Sequence, residues 1–517
     1  MINLAIIYHM HQPYYKNLLT GESELPWVRL HGVKDYRDMV ELLEKFPEMK
    51  LTFNVVPSLF EQIQDYNQKG LQDKFFLLSS KPAAKLNSQD KDFILNNFFS
   101  INKDKVIAFS PRYYQLYFKR QSGQEFNQSD FLDLQVCFNL SWIDPSFRKS
   151  IPELKRVADK ERFFSEEDKQ IVLNQQLDIL KGTIPAYKLA QDKQQIEISL
   201  TPYYHPILPL LYNTNIAKEA NKKTVLPKKG FHYPLDAKYQ IDSAVEFYQE
   251  NFGQPPLGMW PSEEAVSEHI LPYIIKSGIN WIVTDEAILF KSLGSKKRDT
   301  KSLYQPHLLK REDGDLNIVF RDRNLSDLIG FVYHGMKEED AVNNFMTHLE
   351  NIDRAFSAKG GKDTLVTIAL DGENAWEFYR NDGHDFLELF YQRLSHADFV
   401  KTTTVSQYLK ANPAKRSIKR LSAGSWIYGE FGKWIGNPYK VKAWEWLADA
   451  RQAIQESKNP TELAWKQMYI LEGSDWFWWA GEDPDGSFDR LFRLHLANFY
   501  KLINKEAPGY LQNPLVS

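Results

Sequence analysis

At 517 residues, with 43% hydrophobic and 25% charged positions and a formal net charge of -3, the chain can build a large core. It has no charge excess that would draw it to nucleic acid or another polyanion. No apolar run approaches the roughly 20 residues of a membrane span, the opening Met1–His9 has no basic leader, and the single Cys137 cannot close an internal disulfide. The expectation is a soluble, cytoplasmic protein.

The aromatic content is high: 13 Trp, 26 Tyr and 33 Phe. Many of these rings stand beside charged residues, as in Asp475-Trp476-Phe477-Trp478-Trp479. Aromatic faces pack on the C–H faces of sugars while carboxylates and amides take the hydroxyls, so the composition leans toward carbohydrate. Large cores also use aromatics.

In chain order, Ile2–Tyr8 reads as a first buried strand that delivers His9-Met10-His11-Gln12-Pro13, where the proline ends regular structure. Leu51–Pro57 is a second strand with Asn54 near its exit. From residue 58 to about 190 the texture is helical, and Ser165-Glu166-Glu167-Asp168 places a capping serine and three acids at the start of a helix expected to end before Gly182. This stretch is predicted as a helical insertion that forms a lid or wall of a cleft, or packs on the outside of the domain.

Strand patterns return at Ile196–Leu200, before Thr201-Pro202-Tyr203-Tyr204-His205-Pro206, and at Leu257–Trp260, before Pro261-Ser262-Glu263-Glu264. They recur at Trp281–Thr284, at Ile318–Phe320 before Arg321-Asp322, and at Leu365–Leu370 before Asp371-Gly372-Glu373. Seven strands alternating mostly with helices predict an α/β protein with a parallel sheet. Polar residues after each strand predict a (β/α) barrel with its site at the strand C-termini. Residues 1–400 are expected to form this barrel with the insertion at about 58–190, and residues 401–517 a C-terminal helical region completing the substrate cleft.

Two carboxyl groups facing one bond are what glycoside hydrolysis needs, one as nucleophile or base and the other as proton donor. The exits at Glu263-Glu264 and Asp371-Gly372-Glu373 supply them. Spacing alone leaves open which acid of each pair is catalytic.

Five short motifs stand in order: His11-Gln12-Pro13; Thr201–Pro206; Gly258-Met259-Trp260-Pro261-Ser262-Glu263; Leu370-Asp371-Gly372-Glu373-Asn374-Ala375-Trp376; and Asp475-Trp476-Phe477-Trp478-Trp479. On these, and on Leu25–Tyr36, Arg321-Asp322 with Leu325-Ser326-Asp327, and Gly424-Ser425-Trp426-Ile427, the chain resembles glycoside hydrolase family 57. That family comprises α-glucan-active retaining enzymes: amylases, amylopullulanases, 4-α-glucanotransferases and branching enzymes.

The resemblance implies Glu263 as nucleophile and Asp371 as general acid/base. It implies that His11, His205, Glu373 and Asp475 hold the sugar at the cleavage point and that Trp260, Trp376 and Trp478 flank it. It further implies a distorted (β/α)7 barrel, an α-glucan or maltooligosaccharide substrate (α-1,4, with α-1,6 as a further linkage), double displacement, and neither metal nor cofactor. Some relatives carry a carboxylate where His205 stands, and Glu264 has no place in the pattern. Three other readings stand beside this one: a 4-α-glucanotransferase using the same site, a metal-dependent barrel hydrolase with His9, His11 and His205 as ligands, and a glucan-binding protein without turnover.

Overall fold

In the computed structural model, which describes residues 1–357, 364–373 and 375–516, the apolar runs of the sequence form the middle of a ten-stranded sheet. Asn374 of the fourth motif lies outside the described residues. The strands are β1 (Ile2–Met10), β2 (Leu51–Val55), β3 (Ile196–Leu200), β4 (Gly258–Met259), β5 (Trp281–Asp285), β6 (His307–Arg311), β7 (Gly314–Arg321), β8 (Leu365–Asp371), β9 (Val400–Thr402) and β10 (Arg416–Ile418). The order β7-β5-β4-β3-β2-β1-β8 is parallel throughout. Continuous apolar runs are what a parallel sheet covered on both faces requires. β1 is the centre of the arrangement: Ile7 stands opposite Thr52 on one side and Ala369 on the other.

The seven expected strands are all present, with three additions. β6 and β7 form an antiparallel hairpin turning between Arg311 and Gly314, β9 joins β1, and β10 joins β6. The ring closes without a ladder between β7 and β8. The Asp322 N–H donates to the Thr367 carbonyl (2.8 Å), Arg321 Nε donates to the Ala369 carbonyl (2.7 Å), and the Ala369 N–H donates to Ser326 Oγ (3.2 Å). The barrel is therefore distorted at this seam, where one backbone bond and two side-chain bonds take the place of a strand ladder.

Between β2 and β3 the chain is helical. Its longest helix, Glu166–Asp192, starts with the capping box that Ser165 and Asp168 announce in the sequence. It does not end before Gly182 but runs on through Gly182 and Pro185. Tertiary packing overrides the two breakers. Leu180, Thr183 and Tyr187 are buried on the barrel side, and a Cβ at Gly182 would sit 2.2 Å from the Arg37 guanidinium, so the glycine makes room for that side chain. After β10 come helices Pro438–Gln455, Glu462–Leu471, Ser474–Trp479 and Ser487–Leu502. Among the described residues no helix is long and apolar enough to cross a membrane.

β4 is reduced to two residues. A Cβ at Gly258 would lie 2.0 Å from the indole of Trp281, which is itself fully buried and donates to Glu197 (2.9 Å). The glycine lets the short strand approach β5 and aim Trp260 and Glu263 into the barrel. Gly258→Ala is expected to destabilise the protein by about 1–3 kcal/mol through overpacking. The check is a lower urea midpoint with unchanged helix and strand content.

Candidate active site

The strand C-termini converge on a cavity of about 790 Å³ lined by His11, Glu263, Asp371, Glu373, Asp475 and Trp478. Its floor is a chain of hydrogen bonds across three strands and a C-terminal helix. His9 and Asn54 are register partners on β1 and β2, and His9 Nδ1 lies 2.6 Å from Asn54 Oδ1. His9 Nε2 is 3.1 Å from His205 Nε2, and His205 Nδ1 is 2.7 Å from Ser474 Oγ. The amide of Asn54 is oriented by its Nδ2 donating to Ser199 Oγ (3.1 Å) and by Thr201 Oγ1 at 2.8 Å from Oδ1. One set of protons satisfies the series: His9 donates from Nδ1, His205 donates from Nε2 to His9, and Ser474 donates to His205. Both imidazoles are then neutral. Burial, followed by the charge of His11, lowers His9 to about 3 and His205 well below the usual histidine range.

His11 lies above this floor. Its ring stacks on His205 at 3.8 Å and 18°, its Nε2 meets Asp475 at 3.0 Å, and its backbone N–H donates to Glu373 Oε1 at 3.1 Å. Glu373 is buried, and its carboxyl is held well above the usual range by desolvation and then by the charge of Asp371, against the opposing His11 N–H. Its Oε2 has no hydrogen-bond partner among the described residues.

Glu263 and Glu264 both have left-handed backbones, φ 59° and 52°. For non-glycine residues this is strain of the kind found at functional sites. The two turn in opposite directions. Glu263 faces the cavity, whereas Glu264 is fully buried behind it, neither of its oxygens hydrogen-bonded among the described residues. Glu263 Oε2 accepts from the indole N–H of Trp426 (2.7 Å), and the Glu263 carbonyl accepts from the Trp426 backbone N–H (3.2 Å). Desolvation, and then the charge of Asp371, push Glu263 up to about 8 while the Trp426 bond opposes the rise. Glu263 and Asp371 thus act electrostatically on each other across one cavity. Such a pair does not ionise fully at neutral pH.

Six of the nine residues expected at the site line this cavity. The other three stand behind it. His205 is buried beneath His11, and Trp260 is fully buried with its ring stacked on His9 at 4.8 Å. Trp376 is buried with its indole N–H donating to the Gly372 carbonyl at 2.7 Å. Trp426 is the contact that sequence reasoning did not assign. It lies within the Gly424–Ile427 segment that carries part of the resemblance; Gly424, with φ 153° and no room for a Cβ beside the Gly429 carbonyl, pairs with Val266 three residues past Glu263.

Ligand atoms of His11, His205 and Asp475 fall within 4.8 Å of one another. The two rings lie face to face, so their in-plane lone pairs run nearly parallel instead of meeting at a tetrahedral centre. His9 turns its two nitrogens to Asn54 and His205. The geometry suits a wall of hydroxyl-binding groups better than a metal centre.

Residues 5–420 match the model of Glycosyl hydrolase family 57. Alpha-amylase 1 of Dictyoglomus thermophilum is 26% identical over 297 residues, which are 56% of this chain and 36% of that protein, so the match spans about a third of the curated relative's length. Among solved structures, the alpha-amylase AmyC of Thermotoga maritima has a TM-score of 0.62 at 14% identity, covering 97% of this chain and 93% of that one. The GH57-type branching enzyme of Pyrococcus horikoshii has a TM-score of 0.60 at 16% identity, covering 97% and 89%. These two likenesses concern the fold, whereas the family match spans most of the sequence and includes both carboxyl-bearing exits. The chain belongs to glycosyl hydrolase family 57.

Proposed function

We propose that the chain is a retaining α-glucan-active enzyme that opens α-1,4 bonds, with α-1,6 bonds as the further linkage, by double displacement in the cytoplasm. The observation that carries this reading is the pairing of Glu263 and Asp371, from the exits of β4 and β8, on one cavity where each feels the other's charge. In the first step the Glu263 carboxylate attacks the anomeric carbon. The glycosidic C–O bond breaks as Asp371 gives its proton to the departing oxygen. In the second, Asp371 takes a proton from the acceptor, whose oxygen displaces Glu263 from the glycosyl-enzyme. The Trp426 N–H on Oε2 favours the ionised Glu263 that the first step requires. His11 with Asp475, and Glu373, offer groups for the hydroxyls of the sugar at the cleavage point.

A 4-α-glucanotransferase is the second reading, and one observation favours it. Phe378, Trp478, Trp479 and Phe488 line the cavity, and Phe378 is 45% exposed. Aromatic walls retain an acceptor sugar and displace water. The two readings share every chemical step and differ in the acceptor.

Asp371→Asn and Glu263→Gln should each lower turnover of maltooligosaccharides by at least about 10²–10⁴-fold. With an aryl glycoside whose leaving group needs no proton, Asp371→Asn should still form the glycosyl-enzyme and stall, and azide should release it with retained configuration. Azide should act on Glu263→Gln only from the opposite face, giving inversion. Product stereochemistry by NMR decides this, and the reverse pattern would exchange the two roles.

The charge of Asp371 helps to hold Glu263 at about 8, so replacing it with asparagine removes a cause of the rise. The acidic limb for glycosyl-enzyme formation from an activated substrate, where Glu263 must lose its proton, should move to lower pH in Asp371→Asn. An unmoved limb would show that the two groups do not couple.

Dialysis against a chelator should leave turnover unchanged, in keeping with the stacked His11 and His205 rings. Activity lost to the chelator and restored by zinc would return the histidines to the role of ligands.

A further inference from the structure

A second cavity of about 500 Å³ lies between the helices that follow β2 and the turn that follows β8, and Ile101, Trp142 and Glu377 line both it and the active-site cavity. It holds a guanidinium with one donor that the fold leaves unsatisfied. Arg148, in the short helix Pro145–Ser150, has a buried Nε with no hydrogen-bond partner among the described residues. Burial lowers its pKa, and Asp144 and Asp382 are the charges that face it. A buried donor left unpaired is destabilising, the more so when charged.

The opposite wall is strained. Asn381, Asp382 and Gly383 are three successive left-handed residues (φ 49°, 55° and 72°), two of them with a Cβ that disfavours this conformation. Asp382 is held by Lys34 at 2.7 Å and Asn381 by Asp385 at 3.1 Å, which keeps the turn in place. Strain that is retained in this way clusters where a ligand is gripped. Apolar surface completes the chamber: Trp142, Phe164, and Phe109, which is 67% exposed at its edge.

The mixture of groups selects the ligand. The lining is mixed in sign: Glu161, Glu377, Asp382 and Asp385 share the space with Lys34, Lys105, Arg148, Lys149 and Arg380, so no net charge on a ligand is favoured. A purely apolar ligand would leave Arg148 Nε without an acceptor. A ring bearing several hydroxyls uses all three features: stacking on aromatics, acceptance from Arg148 and Lys105, and donation to the carboxylates. We propose that this chamber is a distal subsite continuous with the active-site cleft, holding glucosyl units of an α-glucan beyond the one being cleaved, with Arg148 donating to their hydroxyls. The inference rests on the reading of the chain as an α-glucan enzyme, and it makes the helical segment between β2 and β3 the gauge of substrate length.

The test is kcat/KM across a maltooligosaccharide series for the wild type, Arg148→Ala and Phe109→Ala. The wild type should show a rise once the chain is long enough to reach the chamber. Arg148→Ala should lower the long-chain values about tenfold through KM, the worth of one charge-assisted hydrogen bond, and leave the shortest good substrate unchanged. Phe109→Ala, at an exposed position that folding does not depend on, should weaken long chains in the same direction. A uniform loss at every length in both variants, or a wild type indifferent to length, overturns the proposal. If no α-glucan is turned over, the proposed function falls, and calorimetric titration with maltoheptaose decides the chamber separately: tighter binding to wild type than to Arg148→Ala supports it, and equal or absent binding overturns it.

Discussion

Arg321 joins the two edges of the barrel and supports the residue that holds Glu263. From the end of β7 its Nε donates to the Ala369 carbonyl on β8, across the seam where the strands have no ladder. Its guanidinium lies 5.3 Å from the ring centre of Trp426, whose indole N–H reaches Glu263. Ion pairs to Asp327 at 2.6 Å and Asp285 at 3.6 Å balance its charge, and Glu264 contributes to holding its pKa up. A guanidinium suits this position because its planar fork donates in several directions and stacks on an indole at the same time. Barrel closure and the placement of Glu263 are thereby one problem with one solution. Glu264, which has no place in the family pattern, is the buried acid facing Arg321 on the side away from the cavity.

The site combines a neutral floor with an acidic mouth. His9 and His205 are uncharged, so the base of the cavity brings hydrogen bonds of fixed direction without net charge. Around the cavity stand Glu263, Asp371, Glu373 and Asp475. Desolvation, and then the charge of Asp371, raise both Glu263 and Glu373.

Much of the fold could be read from the sequence because parallel strands buried on both faces are written as largely apolar runs, and those of β1, β5 and β8 are hard to mistake. The carboxyl-bearing exits could be read for the same reason, since each follows directly on such a run. The β6–β7 hairpin was hidden by its half-exposed, charged residues, and β10 by its three-residue length. The helix through Gly182 and Pro185 continued because packing outweighed propensity. Motif position does not tell on which side of the cavity wall a ring lies. Trp260 and Trp376 share the motifs of the two acids, yet both are core residues that position their neighbours from behind, while Trp426 makes the contact from a distant segment.

The junction of His205 with Ser474 bears on how freely such a chain can be divided or recombined. Ser474 donates its backbone N–H to the His205 carbonyl at 3.0 Å and its hydroxyl to the ring, and the residue that follows, Asp475, reaches His11. The last helices therefore supply the end of a hydrogen-bond series that begins on β2, in the middle of the sheet. Exchanging the C-terminal segment for that of a relative would leave two buried imidazoles without their terminal donor unless the substitute brought a hydroxyl to the same point. The pocket is inherited as a whole, and the modular shuffling open to proteins with detachable binding domains is closed to it at this joint.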